Sequence, residues 1–272
     1  LQALARVHWM ADDRPLHRHV QAWVAGHEQA LARREDTTTL AVGGGARPER
    51  VGTSTGAFHR ATGEFRFEAG AHARPARPWI NVLANPHFGT QVTEAGGGHT
   101  WAVNSRMNQL TAWSNDPVVD SPSEWLLLQD LKTRQVWSVA PSAAGAEGLT
   151  YRVAHGQGST TIAHRLGELD VRVTWCVDST SSVKQVHLQL ACRGERSMRL
   201  RAVAMVEWLL GASRSDRGTV KTQARQPQRA GPAGVVLMAT QCDHSAGFGG
   251  GTAFLVQVAQ GPGDRGGSSG VL

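Results

Sequence analysis

This chain of 272 residues is poor in lysine, tyrosine and cysteine, and these shortages exclude several classes of protein. Its basic residues are nearly all arginine, because only Lys132, Lys184 and Lys221 are lysine, and they are scattered. Nucleic-acid binding needs a concentrated basic face, so the net charge of +6 does not predict that partner. No run of about 18 apolar residues occurs, so we expect no transmembrane helix and no membrane contact by this segment.

The three cysteines, Cys176, Cys192 and Cys242, form no CxxC motif and cannot all pair in disulfides. They fit a reduced compartment, and we expect a cytoplasmic location, with any inner-membrane anchor in a longer parent enzyme. The alternating patterns around Cys176 and Cys192 favour small core or near-core residues over nucleophiles. The chain starts without methionine or a signal-peptide pattern, so we interpret it as a fragment.

Motifs for cofactors and metals are also missing. The run Gly96 to Gly98 lacks the Gly-Lys-Ser/Thr ending of a phosphate loop, and we expect these glycines to allow positive φ or close backbone approach. His17 and His19 are two apart on a predicted helix and so do not share a face. We therefore predict no cofactor and no metal site.

Four segments differ in pattern along the chain. Residues 1–35 have a helical pattern that predicts two short helices, broken near residues 12–15 and only loosely attached to the rest. Residues 36–56 are rich in Thr, Gly and Arg and are interpreted as a flexible linker. Residues 57–260 alternate strands and turns, and residues 261–272 form a glycine-rich tail that we expect to be flexible.

The strand region predicts a mainly β fold, namely a large antiparallel two-sheet β-sandwich with a short helical N-terminal segment. Residues 171–177 and 186–192 alternate apolar and polar positions, and residues 200–210 continue the pattern as a longer, more buried strand. Residues 125–128 and 135–139 predict a hairpin around the turn 130–133. The side chains predicted to face inward are Trp175, Leu188, Leu190, Val206 and Trp208.

Five of the nine tryptophans lie in residues 78–141, and the last four are spaced by twelve residues. This spacing is typical of successive hairpin strands and is not accompanied by a repeated sequence. Indoles interleaved with Asn, Ser, Arg and Asp suggest either a sandwich core or a sugar-stacking surface. The five are Trp79, Trp101, Trp113, Trp125 and Trp137.

Two sets of carboxylates are candidates for chemistry. Asp116, Asp120, Glu124 and Asp130 could supply a glycosidase pair or a calcium site, but we favour the interpretation that they are turn formers and solvated acids. Glu207 lies in an apolar strand, where a charge must be paired or lie near a cavity. We favour an ion pair with an arginine over a sugar site for Glu207.

Several long motifs occur in an order that is similar to one known family. They are PWINVLANPHFG, TEAGGGHTWAVNSRMNQLTAWSNDPVVD, LLLQDLKTRQVWSVAP, YRVAHGQGSTTI and RLRAVAMVEWLLGASRS. Together they resemble the N-terminal supersandwich module of glycoside hydrolase family 94, over about residues 50–265. The form NSRxNxLTxWSNDP is most similar to the cyclic β-1,2-glucan synthase branch of that family. The resemblance implies a galactose-mutarotase-like supersandwich.

The resemblance also implies a role. In the family, an aspartate on a following (α/α)6 barrel protonates the glycosidic oxygen while inorganic phosphate attacks as a substrate. About 270 residues of sandwich cannot supply that barrel, so we expect a non-catalytic, carbohydrate-associated fragment of a glycosyltransferase or glycoside phosphorylase. Its expected partners are a β-glucan oligosaccharide and the barrel of the parent enzyme.

One loop is the best candidate for contact with the glucan cleft. Amides and a guanidinium beside an indole combine hydrogen bonding with stacking, as a sugar requires. Alternatively, the asparagines satisfy turn backbone and the arginine pairs with Asp116 or Asp120. The candidate substrate-binding residues are Asn104, Arg106, Asn108, Trp113, Asn115 and Asp116.

Two other functions remain open from sequence. The chain could be a freestanding lectin-like carbohydrate-binding module, which an exposed row of indoles would favour and a buried cluster would disfavour. It could also be a complete small hydrolase that uses the acidic cluster at 116–130. The tryptophan exposure and the environment of those acids separate the three hypotheses.

Overall fold

A computed structural model describes residues 14–35, 55–70, 73–113, 120–141, 148–195, 197–226, 233–246 and 248–258. These residues form seventeen β-strands, the helix α1 (Leu16–Glu35) and two short 3₁₀ helices (Arg214–Thr219 and His244–Ala246), so the fold is mainly β, as predicted. The strands are β1 Gly56–Phe58, β2 Phe65–Gly70, β3 Asn81–Ala84, β4 Phe88–Thr93, β5 Gly96–Ala102, β6 Gln109–Thr111, β7 Glu124–Asp130, β8 Val136–Ser138, β9 Thr150–Gly156, β10 Ser159–Leu166, β11 Leu169–Val177, β12 Lys184–Cys192, β13 Leu200–Val206, β14 Trp208–Gly211, β15 Val220–Arg225, β16 Ala233–Gln241 and β17 Thr252–Val258.

The largest sheet has six antiparallel strands in the order β1-β2-β9-β10-β11-β12. The inner strand β11, next to the edge strand β12, follows the predicted alternation, because one face is buried while the other carries Asp170, Arg172 and Thr174. A shift of one residue would exchange the two faces, so this pattern fixes the register. The buried face of β11 consists of Leu169, Val171, Val173 and Trp175.

The remaining strands form three sheets, β13-β7-β8, β14-β6-β5-β4-β3 and β15-β16-β17, so the prediction of two sheets is corrected to four. The predicted long strand 200–210 is interrupted at Glu207, where β13 ends and β14 begins. There the chain changes its hydrogen-bonding partner from β7 to β6, and the Glu207 amide donates to the Ser123 carbonyl at 2.8 Å. One continuous apolar run therefore serves two sheets.

The main core lies between the six-stranded sheet and the strands β3, β4, β7 and β8. Trp137 is its largest fully buried side chain, and its indole N–H donates to Nε2 of His164 at 3.1 Å. The Tyr151 hydroxyl donates to the Ser138 carbonyl at 3.1 Å, so the polar ends of both large aromatic residues are satisfied. A smaller cluster of Leu210, Ala239 and Ala253 joins β14 to the β15-β16-β17 sheet.

The five residues predicted to face inward are buried or partly buried. Trp175 is 4% exposed, and Leu188 and Leu190 pack against the main core. Val206 is half-buried, and Trp208 packs against the smaller cluster. The predicted faces are therefore confirmed, although only Trp175 is fully enclosed.

The regular tryptophan spacing corresponds to successive strands, as predicted. Trp101, Trp125 and Trp137 lie on β5, β7 and β8, and Trp113 follows β6. The predicted hairpin forms between β7 and β8, and at its turn Asp130 Oδ1 accepts the Lys132 amide at 2.7 Å. Asp130 is therefore the turn former that the sequence allowed.

The helix α1 begins directly after Pro15, and its large apolar side chains are exposed. Leu16 is 64% exposed and Trp23 is 43% exposed, and the loose attachment of this segment stays a prediction. The first predicted helix, most of the predicted linker and the glycine-rich tail fall in residues 1–13, 36–54 and 259–272, outside the described residues.

Candidate functional site

The connection from β5 to β6 carries the candidate loop, and two of its asparagines are used by the turn itself. Asn104 Oδ1 accepts the amides of Arg106 and Met107 at 3.0 and 2.9 Å. Asn108 Nδ2 donates to the Ala102 carbonyl at 3.0 Å. These contacts agree with the alternative in which the asparagines satisfy turn backbone.

Val103, at the start of this turn, has a φ of 64°. This conformation is unfavourable for a β-branched side chain, which is 70% exposed here and gains little from burial. The Val103 amide donates to the His87 carbonyl at 2.6 Å, so the β3–β4 turn helps to hold the strained residue. The surrounding structure therefore imposes the loop conformation.

Arg106 is exposed, and among the described residues its guanidinium makes no hydrogen bond or ion pair. One partner suggested by sequence, Asp120, instead accepts the Thr93 hydroxyl at 2.6 Å. The other suggested partner, Asp116, lies outside the described residues together with Asn115. The structure thus places four of the six predicted site residues.

Trp113 is presented to solvent by a stack of three rings. His99 lies between Trp101 and Trp113, with centroid separations of 5.1 and 5.9 Å and interplanar angles of 30° and 22°. His99 is buried, which lowers its pKa, and its Nδ1 lies 3.1 Å from the Thr111 carbonyl oxygen. Trp113 is 45% exposed, so one indole is supported from inside while part of it stays accessible.

Gln109 connects the arginine to the indole. Its Nε2 donates to the Arg106 carbonyl at 3.2 Å, and its Oε1 accepts the Trp113 amide at 3.5 Å. A single side chain therefore holds both ends of the candidate surface. Sequence reasoning missed this residue, because a glutamine in a strand gives no signal of such a role.

Beneath the ring stack lies a buried ion pair between Glu124 and Lys184, whose side chains are 12% and 13% exposed. Glu124 Oε1 accepts the hydroxyls of Thr100 and Thr111 at 2.6 and 3.1 Å, and Lys184 Nζ also donates to Thr100 Oγ1 at 2.8 Å. Burial alone raises the pKa of Glu124, but Lys184 and these hydrogen bonds outweigh it and hold the pKa below its usual value. The interpretation of Glu124 as a solvated acid is therefore wrong.

The glycine run 96–98 makes this arrangement possible. Gly96 has a φ of 102°, and a Cβ on Gly97 would lie 2.9 Å from Glu124 Oε2. The expectation of positive φ or close backbone approach is confirmed at these two positions. A side chain at Gly97 would therefore require the Glu124 carboxylate to move.

The ion pair lines a cavity of about 380 Å³ between the sheets. Five aromatic side chains contribute to its walls, and Asn108 extends to it from the candidate loop. The aromatic residues are Phe88, Trp125, Trp175, Trp208 and Phe254.

Other charged and sulfur-containing candidates have structural roles. Glu207 forms an ion pair with Arg217, as favoured from sequence. No disulfide joins the three cysteines, all of which are described. Cys176 is half-buried, but Cys192 is exposed at the end of the edge strand β12, so its predicted near-core position is wrong. Among described residues, no group of three or more His, Cys, Asp or Glu is placed to hold a metal.

In the part of the chain that the structure describes, no helix combines the length and apolar character needed to cross a membrane.

Comparison with known proteins gives two findings. A model of the glycosyl hydrolase 94 supersandwich domain matches residues 63–262. The cyclic beta-(1,2)-glucan synthase NdvB of Rhizobium meliloti (strain 1021) is 33% identical over 146 residues, which are 54% of this chain and 5% of that protein. The chain therefore spans only a small fraction of this relative.

Proposed function

This chain belongs to the glycosyl hydrolase 94 supersandwich domain family, and on that premise we propose that it is a non-catalytic, carbohydrate-associated module of a longer glucan-active protein. The relative is a cyclic beta-(1,2)-glucan synthase, so the proposed carbohydrate is a β-1,2-glucan. In this proposal the module packs on an (α/α)6 catalytic barrel elsewhere in the parent protein and contributes a loop to its glucan cleft. Inorganic phosphate is a substrate of the parent protein and has no proposed site on the module.

The observation that carries the proposed role is the partly exposed Trp113 beside Arg106. An indole face packs against the C–H face of a sugar ring, and a guanidinium donates to hydroxyl oxygens. Trp113 is held by His99, and Gln109 holds both the Trp113 and the Arg106 backbone. The Trp113 ring and the loop backbone are therefore preorganised, which reduces the entropy lost on binding.

The acids support a non-catalytic role. A glycosidase needs one carboxyl group with a raised pKa to act as the general acid. Lys184 and its neighbours lower the pKa of Glu124, and the Lys132 amide lowers the pKa of Asp130. These two members of the acidic cluster are held as carboxylates, which disfavours the small-hydrolase alternative.

Tryptophan exposure disfavours a freestanding lectin-like module. Such a module would be favoured by a flat, exposed row of indoles. Of the five tryptophans in residues 78–141, only Trp113 is exposed, whereas Trp137 is fully buried and the other three are half-buried. A single exposed indole suits a surface that completes a cleft built mainly by another domain.

The cysteines also bear on location. All three are thiols, which agrees with a reduced compartment, and we propose that the module functions in the cytoplasm.

The test is a domain exchange in the Rhizobium meliloti synthase. The segment of that enzyme that matches this chain is replaced by the corresponding part of this chain, and glucan synthesis is measured for the chimera and for its Arg106→Ala and Trp113→Ala variants. Trp23→Ala is the matched control, because Trp23 is a similarly exposed indole on α1.

We expect an active chimera that loses activity with Arg106→Ala or Trp113→Ala at unchanged thermal stability, and that keeps it with Trp23→Ala. Full activity of both loop variants would contradict the cleft role. Turnover of β-glucosides by this chain alone would contradict the non-catalytic role.

A further inference from the structure

The cavity between the sheets has features that neither the core nor the candidate loop explains. Its volume of about 380 Å³ lies near the lower end of the range for small-molecule sites. Aromatic side chains form much of its wall, and Thr100, Glu124 and Lys184 form one polar corner. A large aromatic wall with a few convergent polar groups is the usual composition of a small-molecule site.

The ion pair at the polar corner is not expected to increase the stability of the fold. Removing two charges from water costs free energy, and well-packed apolar residues often replace such a pair without loss. Glu124 and Lys184 nevertheless lie in the wall of a cavity rather than in close-packed core. Polar groups that line a cavity can hydrogen-bond to a ligand, whereas those sealed in a core cannot.

Trp175 provides an independent observation at the same corner. This side chain is 4% exposed and lines the cavity, and no other described residue accepts its indole N–H. A Cβ placed on Gly97 would lie 3.4 Å from Trp175 Nε1 and 2.9 Å from Glu124 Oε2, so both atoms border the same space above Gly97. The indole N–H therefore borders the cavity, where a ligand can accept from it.

The charges at the corner indicate the kind of ligand. The charges of the Glu124 carboxylate and the Lys184 ammonium cancel, so the corner offers no net positive charge to hold an anion such as phosphate. Hydroxyl groups both donate and accept, so they can donate to Glu124 and accept from Trp175 and Lys184. The aromatic walls suit the C–H faces of a sugar ring.

We infer that the cavity is a second carbohydrate site that binds one uncharged sugar unit, with its hydroxyl groups on Glu124, Lys184 and Trp175. Its identification as a glucosyl unit rests on the proposed function. The site is distinct from the loop surface around Trp113, although Asn108 contributes to both.

The test uses the whole chain labelled with 5-fluorotryptophan. The labelled protein gives nine fluorine resonances, one for each tryptophan, and they are assigned by single Trp→Phe substitutions. D-Glucose, the β-1,2-linked disaccharide sophorose and inorganic phosphate are titrated separately at millimolar concentrations. We expect glucose and sophorose to shift the Trp175 resonance in a saturable manner, and phosphate to leave it unchanged.

Gly97→Ala is the main variant, because its methyl group would occupy the space between Glu124 and Trp175. The matched control is Gly98→Ala, whose Cβ would meet its nearest neighbour at 3.9 Å, an ordinary contact. We expect Gly97→Ala to abolish the response and Gly98→Ala to retain it. If Gly97→Ala does not fold, Trp175→Phe removes the N–H donor together with part of the ring. It should weaken glucose binding at least about tenfold, which is measured from the Trp125 and Trp208 resonances.

Each outcome separates this inference from the proposed function. An unmoved Trp175 resonance with a shifted Trp113 resonance would overturn the cavity site and leave the loop proposal intact. An equal response to phosphate would overturn the assignment to an uncharged ligand. Saturable sugar binding that persists in Gly97→Ala would overturn the assignment of the sugar site to this cavity, whatever the activity of the synthase chimera.

Discussion

The six-stranded sheet and the region around β5 and β6 differ in regularity. Every strand pair of the six-stranded sheet keeps its register without a shift. The pairs β4–β5, β5–β6 and β6–β14 each contain a register shift, and the turn after β5 includes Val103 with positive φ. Register irregularities re-aim side chains that regular pleating would place elsewhere.

The difference in regularity accompanies a difference in chemistry. In the six-stranded sheet, buried positions are largely apolar, and ion pairs such as Arg165–Asp170 lie on the outer face. Around β5 and β6, the imidazole of His99 lies inside, together with the Glu124 carboxylate of β7 and the Lys184 ammonium at the start of β12. The six-stranded sheet therefore acts mainly as scaffold and contributes Lys184 to the cavity, whereas the irregular region carries the candidate loop and the ring stack.

The strongest test of the scaffold is Trp137→Ala. Trp137 is fully buried against the six-stranded sheet, so we expect the free energy of unfolding to fall by about 3–5 kcal/mol. Trp208→Ala should cost less, about 1–2 kcal/mol, because Trp208 is half-buried beside a small cluster. Urea unfolding followed by circular dichroism measures both, and equal losses would contradict the distinction between the two clusters.

Acidification tests the same core through His164. Burial lowers the pKa of His164 to about 4, and its Nε2 already accepts the Trp137 N–H. Between about pH 6.5 and pH 4, His164 is protonated in the unfolded chain but stays neutral in the native state. This contribution is therefore complete above about pH 6.5 and is lost as the pH falls towards 4, by roughly 3 kcal/mol in total.

Unfolding of His164→Gln isolates that contribution, since His99 and His155 also have pKa values lowered by burial and act in the same direction. Glutamine can still accept from Trp137, so the variant should fold and show a flatter pH profile between 4 and 6.5. Identical pH profiles for the two proteins would show that His164 does not resist protonation.

Tests of the irregular region are expected to give smaller effects. A Cβ on Gly89 would overlap the Trp101 ring, so Gly89→Ala should displace the Trp101–His99–Trp113 stack and cost about 1–3 kcal/mol. Gly218→Ala is the control, because no atom lies within 4 Å of its Cβ position. Near-ultraviolet circular dichroism reports the stack, and an unchanged spectrum with unchanged stability would show that the rings do not depend on Gly89.

The contrast between the two regions also explains what sequence could predict. The alternation on β11, the Asp130 turn and the pairing of Glu207 with an arginine follow from local pattern and from the cost of an unpaired charge. The partners Glu124 and Lys184 are 60 residues apart and meet only because the sheets fold together. No local pattern marks such a pair.

Other features of the candidate site were hidden for a similar reason. The ring stack requires Trp101, His99 and Trp113 to lie on one face across a register shift between β5 and β6. Simple alternation cannot reveal that shift. The division into four sheets was also missed, because the apolar run through Glu207 has the same pattern whether it serves one sheet or two.

The smallest expected effect, and the only gain in stability, concerns Val103. Its side chain is 70% exposed and its φ is 64°, so Val103→Gly removes little packing and relieves a strained conformation. We expect stability to rise by up to about 1 kcal/mol, net of the greater entropy of the unfolded glycine chain. Val136→Gly is the matched control, because Val136 is a 51% exposed valine in regular strand conformation on β8, where glycine should destabilise. Opposite signs in thermal unfolding would confirm that the irregular loop is held against local preference, whereas a loss in both variants would mean that the strain at Val103 is too small to matter.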